Sequence, residues 1–164
     1  MNDFFTKTDL SRKDAESIIS ETLNSCDDGE LYLENSKSES IVLDDDKIKS
    51  SSYSSDLGYG LRAVTGEVVA YSHSNEISKK SLKQSASNLS STLKSQKGIY
   101  NHEIPQTNEK FYKDVNPIEE KSLQSKLDLL KEVNNYTRAK GGIVRQVTAS
   151  FAGEHKSIEI IRSG

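Results

Sequence analysis

The residues that determine the architecture run from position 30 to position 72 and read ELYLENSKSESIVLDDDKIKSSSYSSDLGYGLRAVTGEVVAYS. Short apolar runs such as Leu31–Leu33 and Ser40–Leu43 recur between turn-forming residues, which is the pattern of β-strands. Asp44–Asp46 and Thr65–Gly66 predict turns. Because the runs follow one another with short connections, the stretch predicts an antiparallel meander.

Three further runs in the same stretch predict strands. Ile48–Asp56 is polar and rich in serine, which predicts an extended strand with one well-solvated face. Leu57–Val64 alternates large and small residues, and Glu67–Ser72 returns after the turn. Gly58 and Gly60 fall inside a predicted strand, where glycine commonly marks a bulge or a close approach of backbone or of a helix.

Two helices are predicted around this meander. The first begins at Ser11, whose hydroxyl can accept a hydrogen bond from the backbone of Asp14, and ends near Ser25. The second begins at Ser78, with Ile77 placed for a hydrophobic staple. Its apolar residues fall on one stripe at helical spacing, which predicts a face packed on the sheet; they are Leu82, Ala86, Leu89 and Leu93.

A third helix and a hairpin are predicted near the C-terminus. Asn116 is the predicted cap, Pro117 takes the first helical position, and the helix continues to Gly141–Gly142. Leu123, Leu127 and Leu130 are predicted to form the packed stripe, with Leu129, Val133 and Tyr136 beside it. Residues 143–162 then predict a hairpin with its turn at Gly153–Glu154.

These patterns together predict an α+β fold, an antiparallel β-meander packed with amphipathic helices, plus a C-terminal helix and β-hairpin. The predicted organisation is a helix–meander–helix N-terminal domain over 1–94, a connector loop over 95–116, and the helix and hairpin over 117–164. An apolar strand directly before Gly164 leads us to expect that further protein follows.

The composition of the chain limits the classes of function that can be expected. The chain has 164 residues, 33% of them apolar, and a net charge of −3 with both signs scattered, so direct nucleic-acid binding is not expected. No run approaches the roughly 20 apolar residues that span a bilayer, and no basic region precedes an apolar run at the N-terminus. A single cysteine, Cys26, cannot form an internal disulfide. We therefore expect a cytoplasmic protein without a membrane partner.

The search for chemistry yields no catalytic, cofactor-binding or metal-ligating residue. His102–Glu103 lacks the second histidine one helical turn later that a zinc-peptidase helix needs, and Pro105 would break such a helix. His73 and His155 stand on predicted strands far from it in sequence. Asp44–Asp46 lacks the glycine and glutamate of a calcium loop and predicts a solvated turn.

The same residues resemble a known family. Over Ser38–Asp45, Lys47–Ser50 and Asp56–Val64, then Gly66, Ala70–Ser72 and the helix start at Ser78, the chain is similar to the N-terminal domain of the TldD/PmbA family of zinc metallopeptidases, also called modulators of DNA gyrase. A second set of residues near the C-terminus resembles the TldD branch; it comprises Val144–Thr148, Ser150, Gly153–Glu154 and Ile161–Ser163.

The resemblance implies a function for a longer protein. Members hold zinc with a helix bearing His-Glu-x-x-x-His and with a cysteine in a later domain; neither is present here, and Cys26 does not match that cysteine. No catalytic residue is carried over, so enzyme activity of this chain is left open, and zinc is implied only for the full-length protein. The implied partners are a catalytic C-terminal domain of the same protein, a homodimer or heterodimer with a TldD/PmbA-type subunit, and unfolded peptide substrates.

Two functions remain open at this point. The first is a non-catalytic N-terminal domain of a peptidase that acts on flexible peptides. The second is a stand-alone interaction module that regulates a partner protein. In either case the polar strand Ile48–Asp56 is a candidate sheet edge for receiving an extended peptide, or for packing on another domain.

Overall fold

The structure is a computed structural model, and it describes residues 4–93 and 115–162. In chain order the elements are α1 (Arg12–Leu23), β1 (Asp28–Asp44), β2 (Lys47–Thr65), β3 (Val68–Ser74), α2 (Lys79–Thr92), α3 (Pro117–Glu120), α4 (Leu123–Arg138) and β4 (Thr148–Ile161). The strands form one four-stranded sheet in the order β3-β2-β1-β4. Strands that follow one another in the chain are neighbours from β1 to β3, so the predicted α+β class and antiparallel meander are confirmed.

The strands are fewer and longer than predicted. Leu31–Leu33 and Ser40–Leu43 belong to the single strand β1 of 17 residues, and Ile48–Asp56 and Leu57–Val64 belong to β2 of 19 residues. The prediction of separate short strands was therefore wrong. Residues 34–40 contain no glycine or proline and are half-buried, so polar side chains there do not interrupt the extended backbone.

Both predicted turns are present and depend on left-handed backbone. Asp45 and Asp46 connect β1 to β2 with φ of 48° and 64°. Two positive φ values in a two-residue connection match the twist of the flanking strands. Gly66, with φ of 58°, lies in the turn between β2 and β3.

The chain forms two compact units that are interleaved in sequence. Unit 1 contains the described residues of 4–35, 56–93 and 157–162, and unit 2 contains 36–55 and 115–156. The predicted segments 1–94, 95–116 and 117–164 are instead consecutive along the chain, and this division stays a prediction. The predicted connector falls almost entirely on residues 94–114, which lie outside the described residues.

Unit 1 has a core between α1, α2 and one face of the sheet. The fully buried side chains include Ile19 and Leu23 of α1, Leu61 of β2, and Leu82 and Leu89 of α2. The predicted stripe of α2 is buried throughout, as is the staple residue Ile77, so the predicted face is confirmed. Burial of this apolar surface is the main force that stabilises unit 1.

Both predicted caps of unit 1 are confirmed. Ser11 accepts a hydrogen bond from the backbone N–H of Asp14 at 3.1 Å, and Ser78 accepts one from Ser81 at 3.1 Å. The Nζ of Lys79, the first residue of α2, donates to the carboxylate of Asp14 at 2.7 Å. An ion pair therefore ties the N-terminal turns of α1 and α2 together.

Unit 2 has a smaller core with a buried ion pair. Ile41, Leu43, Leu130 and Ala149 form its centre, and Leu127 and Phe151 pack against them. Lys126 of α4 is 5% exposed, and its Nζ donates to the carboxylate of Glu39 and to the carbonyl of Ile118. The lysine thereby joins α4 to β1 and to α3.

The predicted C-terminal helix is divided in two. Asn116 caps α3 as predicted and Pro117 is its first residue, but Lys121 is extended with φ of −113° and ψ of 137°. Ser122 then caps α4 by accepting from the N–H of Ser125. This cap satisfies one of the backbone N–H groups that a new helix start leaves unpaired, which lowers the free-energy cost of interrupting the helix.

The packed stripe of α4 also differs from the prediction. Its buried residues are Lys126, Leu130 and Asn134. Leu123 is 55% exposed, so its assignment to the packed stripe was wrong, whereas Leu127 is half-buried against the core. The buried face of α4 therefore follows residues four positions apart and includes the paired Lys126.

The predicted C-terminal hairpin is absent from the described residues. Gly153 and Glu154 lie inside β4, which runs unbroken from Thr148 to Ile161. A Cβ added at Gly153 would lie 3.5 Å from Ile118, in ordinary contact distance. The glycine thus lies beneath α3 and does not turn the chain.

Candidate functional site

The outer face of the sheet in unit 1 carries a shallow cavity. Side chains alternate along a strand, so Leu31 and Leu33 of β1 point to the helices and Tyr32 and Glu34 point away from them. The cavity on that outer side has a volume of about 230 Å³. The residues that line it are Tyr32, Glu34, Asp56, Leu57, Gly58, Tyr59, Gly60, Tyr71 and Asn75.

Tyr71 of β3 forms one wall of the cavity. A Cβ added at Gly60 would lie 2.5 Å from the Tyr71 hydroxyl and 3.0 Å from its ring, so the ring lies directly across the glycine. On β3 the ring also stacks on His73, with centroids 5.8 Å apart and planes at 27°. Tyr71 remains 64% exposed. These contacts fix the ring while leaving much of its surface open to solvent.

Tyr32 and Glu34 form the wall on β1. The Tyr32 hydroxyl donates a hydrogen bond to the Glu34 carboxylate. That hydrogen bond, with burial, the Glu34 charge and nearby Tyr71 adding to it, raises the pKa of Tyr32 to about 12. Tyr32 therefore stays protonated at neutral pH and presents a neutral ring beside a carboxylate.

The lining has the chemistry of a cation site. Two carboxylates, Glu34 and Asp56, stand beside the rings of Tyr32 and Tyr71, and no lysine, arginine or histidine is among the described residues that line the cavity. The faces of aromatic rings attract cations, and so do carboxylates.

A second exposed feature is the end of β2 that extends beyond β3. The register of β2 with β3 ends at the pair Tyr59 and Ser74. Residues 47–57 of β2 are exposed, including Ile48 at 55% and Tyr53 at 58%. In the sheet as described, β1 is the neighbour of β2 on the side away from β3.

His73, His155 and Cys26 lie on different elements or connections of the fold. His73 stacks on Tyr71, and His155 lies half-buried in β4. Cys26 is 2% exposed, and its thiol is 3.7 Å from the Thr22 carbonyl, which accepts its weak hydrogen bond. His102, which the sequence search considered, lies outside the described residues.

The acidic turn is engaged by neighbouring protein groups. Asp44 accepts hydrogen bonds from Gln146 at 2.8 Å and Thr148 at 2.9 Å, and these bonds hold the pKa of its carboxyl below the ordinary value. Asp45 accepts from the N–H of Val147 at 2.9 Å and pairs with Arg138. The turn therefore anchors the segment that leads into β4, a role beyond that of the solvated turn predicted from sequence.

The residues present do not fit a zinc centre. No group of three histidine, cysteine, aspartate or glutamate side chains that could hold a metal occurs within residues 4–93 and 115–162. A zinc site in a peptidase needs three protein ligands converging on one point. We therefore derive no chemical step from zinc in this chain.

The cavity was not predicted from the sequence, although two glycines of its lining were singled out there. Gly58 and Gly60 were predicted to mark a bulge or a close approach of backbone or of a helix. At Gly58 the backbone carbonyl of Ser74 lies 2.8 Å from an added Cβ, whereas at Gly60 the neighbour is a side chain, the Tyr71 ring. The contribution of Tyr32 could not be found, because a tyrosine in a strand gives no indication of which neighbouring strand its ring will meet.

One negative finding concerns membranes. Within the described part of the chain, every helix is too short or too polar to cross a bilayer.

Comparison with known proteins identifies the fold and the domain type. The model of the PmbA/TldA metallopeptidase domain 1 matches residues 29–92. The Metalloprotease TldD homolog of Buchnera aphidicola (strain APS) is 35% identical over 133 residues, covering 80% of this chain and 28% of that protein. The TldD homolog of Haemophilus influenzae is 30% identical over 141 residues, covering 82% of this chain and 29% of that protein.

Two solved structures share the fold. A proposed modulator of DNA gyrase from Bacteroides thetaiotaomicron matches with a TM-score of 0.66 and 18% identity, covering 93% of this chain and 36% of that one. TldE from Thermococcus kodakarensis matches with a TM-score of 0.57 and 14% identity, covering 90% and 34%.

The matches agree on which domain of the family's proteins is present in this chain. This chain spans 28–33% of the length of these two TldD homologs and of the Metalloprotease TldD homolog from a second Buchnera aphidicola strain, Sg. The matched family segment is a first domain, and it covers β2, β3, α2 and nearly all of β1. The chain therefore carries the N-terminal domain of the TldD/PmbA family.

Proposed function

We propose that this chain is the non-catalytic N-terminal domain of a TldD/PmbA-type zinc metallopeptidase that acts on flexible peptides. One observation carries the proposal. The chain aligns over 80–95% of its length with proteins named metalloproteases but accounts for only 28–33% of theirs. The catalytic chemistry named in those relatives would then belong to the remaining two thirds.

The proposal assigns the domain a supporting role. Its partners are a catalytic C-terminal domain of the same protein and a second TldD/PmbA-type subunit in a homodimer or heterodimer, in the cytoplasm. Exposed apolar side chains on α4 are consistent with further protein contacts, because large apolar side chains are rarely left clustered on a monomer surface. Leu129, Val133 and Tyr136, at spacings of four and three residues, are 50%, 44% and 64% exposed.

The exposed stretch of β2 over residues 47–57 is a candidate site for an extended peptide. Peptides that bind by strand addition pair through their main chain, which tolerates many sequences. We expect an unstructured peptide to bind the chain with a saturable signal in a calorimetric titration. The matched control is the same peptide N-methylated at alternate residues, which removes the donors that would pair with β2. Flat titrations up to millimolar peptide would contradict peptide binding by this chain.

The assignment itself is tested by the gene. Sequencing the DNA beyond codon 164 should reveal an open reading frame that continues into a helix bearing His-Glu-x-x-x-His. A stop codon at that position would contradict the proposal and favour the alternative, a stand-alone module that regulates a partner protein.

A further inference from the structure

We infer that the loop between α4 and β4, residues 139–147, is a docking element for an acidic amphipathic segment of a partner protein. Its residue Ile143 is 87% exposed, more than any other large apolar side chain that the structure describes. The loop contains two cations, Lys140 and Arg145, and no acidic residue. The inference rests on this loop and the end of α4, and it does not depend on the proposed function.

The two ends of the loop are held by the turn between β1 and β2. Arg138, the last residue of α4, pairs with the Asp45 carboxylate, which also accepts from the N–H of Val147 at 2.9 Å. Gln146 donates to the carboxylate of Asp44 at 2.8 Å. Because both ends are fixed to one turn, the residues between them lose less conformational entropy when a partner binds.

The middle of the loop stands clear of neighbouring groups. A Cβ added at Gly141 or Gly142 would meet no heavy atom within 4 Å beyond the adjoining residues. The N–H of Gly141 donates to the carbonyl of Arg138 at 3.4 Å, and the N–H of Val144 donates to the carbonyl of Gly141 at 3.2 Å. These bonds form a turn that presents Ile143 to solvent, and covering that side chain would remove apolar surface from water.

Apolar surface continues from the loop onto α4. The Nζ of Lys140 lies 4.0 Å from the centre of the Tyr136 ring, so the first turn of the loop contacts the exposed side of the helix. Tyr136, Val133 and Leu129 follow one another on that side at helical spacing and are all exposed. With Ile143 they offer more apolar contact than a single surface side chain would.

The charges of the loop favour an acidic partner. Within residues 4–93 and 115–162, neither Lys140 nor Arg145 forms an ion pair with a carboxylate. They lie on either side of Ile143 in sequence, so each can receive a carboxylate at the rim of a contact centred on the isoleucine. Potentials of opposite sign across an interface fix its register and exclude wrong partners.

Two other occupants fit these charges less well. Membrane-binding segments carry clusters of about four to eight lysines or arginines, and this loop has two. A second copy of the chain, related by a two-fold axis through the loop, would bring its own Lys140 and Arg145 to the same contact, where like charges repel.

Three synthetic amphipathic helices test the inference on the unmodified chain. They share one leucine face and carry glutamate, glutamine or lysine on its flanks. In fluorescence anisotropy at low salt, the glutamate peptide should bind about tenfold more tightly than the glutamine peptide, and added salt should reduce this preference. Equal affinity of the glutamate and lysine peptides, or no binding of the glutamate peptide at millimolar concentration, would overturn the inference. Tighter binding to anionic lipid vesicles than to the glutamate peptide would also overturn it.

Variants of the chain locate the contact. Ile143→Ser should weaken the glutamate peptide about fivefold. Lys140→Gln combined with Arg145→Gln should abolish the preference for glutamate over glutamine. The control is Ile158→Ser, because Ile158 is 51% exposed but lies in unit 1; it should change neither affinity. Unchanged binding by both loop variants would overturn the inference. The gene sequence decides the proposed function independently, so failure of one can be distinguished from failure of the other.

Discussion

At the scale of single residues, polar groups determine how the elements join. Lys126 pairs with Glu39 beneath α4, and Lys79 pairs with Asp14 between two helix starts. The first pair is buried, with side chains 5% and 11% exposed, and the second is not, at 42% and 36%. The energetic consequences of removing each pair therefore differ in size.

The buried lysine provides the largest expected effect of a single substitution. Lys126→Ala leaves the Glu39 carboxylate buried without its cation, which should lower the free energy of unfolding by about 3–5 kcal/mol in urea titrations. Lys131→Ala, at an exposed position of the same helix, is the control and should stay within about 0.5 kcal/mol of the wild type. Equal effects of the two substitutions would contradict a stabilising role of the buried ion pair.

The exposed pair predicts a dependence on pH. Hydrogen bonds from Lys79 and then Ser11 lower the pKa of Asp14 from 3.8 to about 2. A carboxyl whose pKa is lower in the folded state stabilises the fold above its unfolded pKa and loses that contribution as the pH falls through the folded pKa. The stability gap between wild type and Asp14→Asn, measured by urea unfolding, should be present at neutral pH and close between about pH 4 and pH 2.

The partner variant gives the control for this pH effect. In a Lys79→Met background the largest cause of the lowered pKa is absent, so Asp14→Asn should produce a smaller gap with less pH dependence. A gap of the same size at every pH would contradict the assigned cause.

At the scale of elements, local signals were reliable and long-range ones were not. Ser11, Ser78 and Asn116 cap helices as predicted, because a cap depends on the two or three residues that follow it. The break at Ser122 and the continuity of β4 through Gly153 were missed. The break at Ser122 was overlooked although its cap is local, since Ser122 accepts from the N–H of Ser125. The continuity of β4 depends on a distant group, Ile118, which packs against Gly153.

The turn between β1 and β2 allows a test of its backbone strain. Asp46 has φ of 64°, a region that glycine adopts without steric cost. Asp46→Gly should raise the free energy of unfolding by about 0.5–1 kcal/mol in urea. Asp45→Gly also relieves strain but removes the acceptor for Arg138 and for the N–H of Val147, so it should destabilise the fold. Destabilisation by Asp46→Gly would contradict the turn geometry.

At the scale of the whole molecule, the sequence predicted the fold more completely than it predicted the candidate site. The meander, the packed face of α2 and the family were predicted from sequence and confirmed, because they rest on periodicity and on residues that lie close together in the chain. The cavity was not predicted, because Tyr32, Glu34 and Tyr71 come from strands whose pairing the sequence does not display. The central claim is that this domain supports catalysis carried out elsewhere in a longer protein.

The direct measurement of that claim is the zinc content of the purified 164-residue chain together with its hydrolysis of an unstructured peptide. Elemental analysis should find zinc well below one ion per chain, and mass spectrometry should find the peptide intact after prolonged incubation. One zinc ion per chain, with hydrolysis that stops on chelation and returns on adding zinc, would contradict the account.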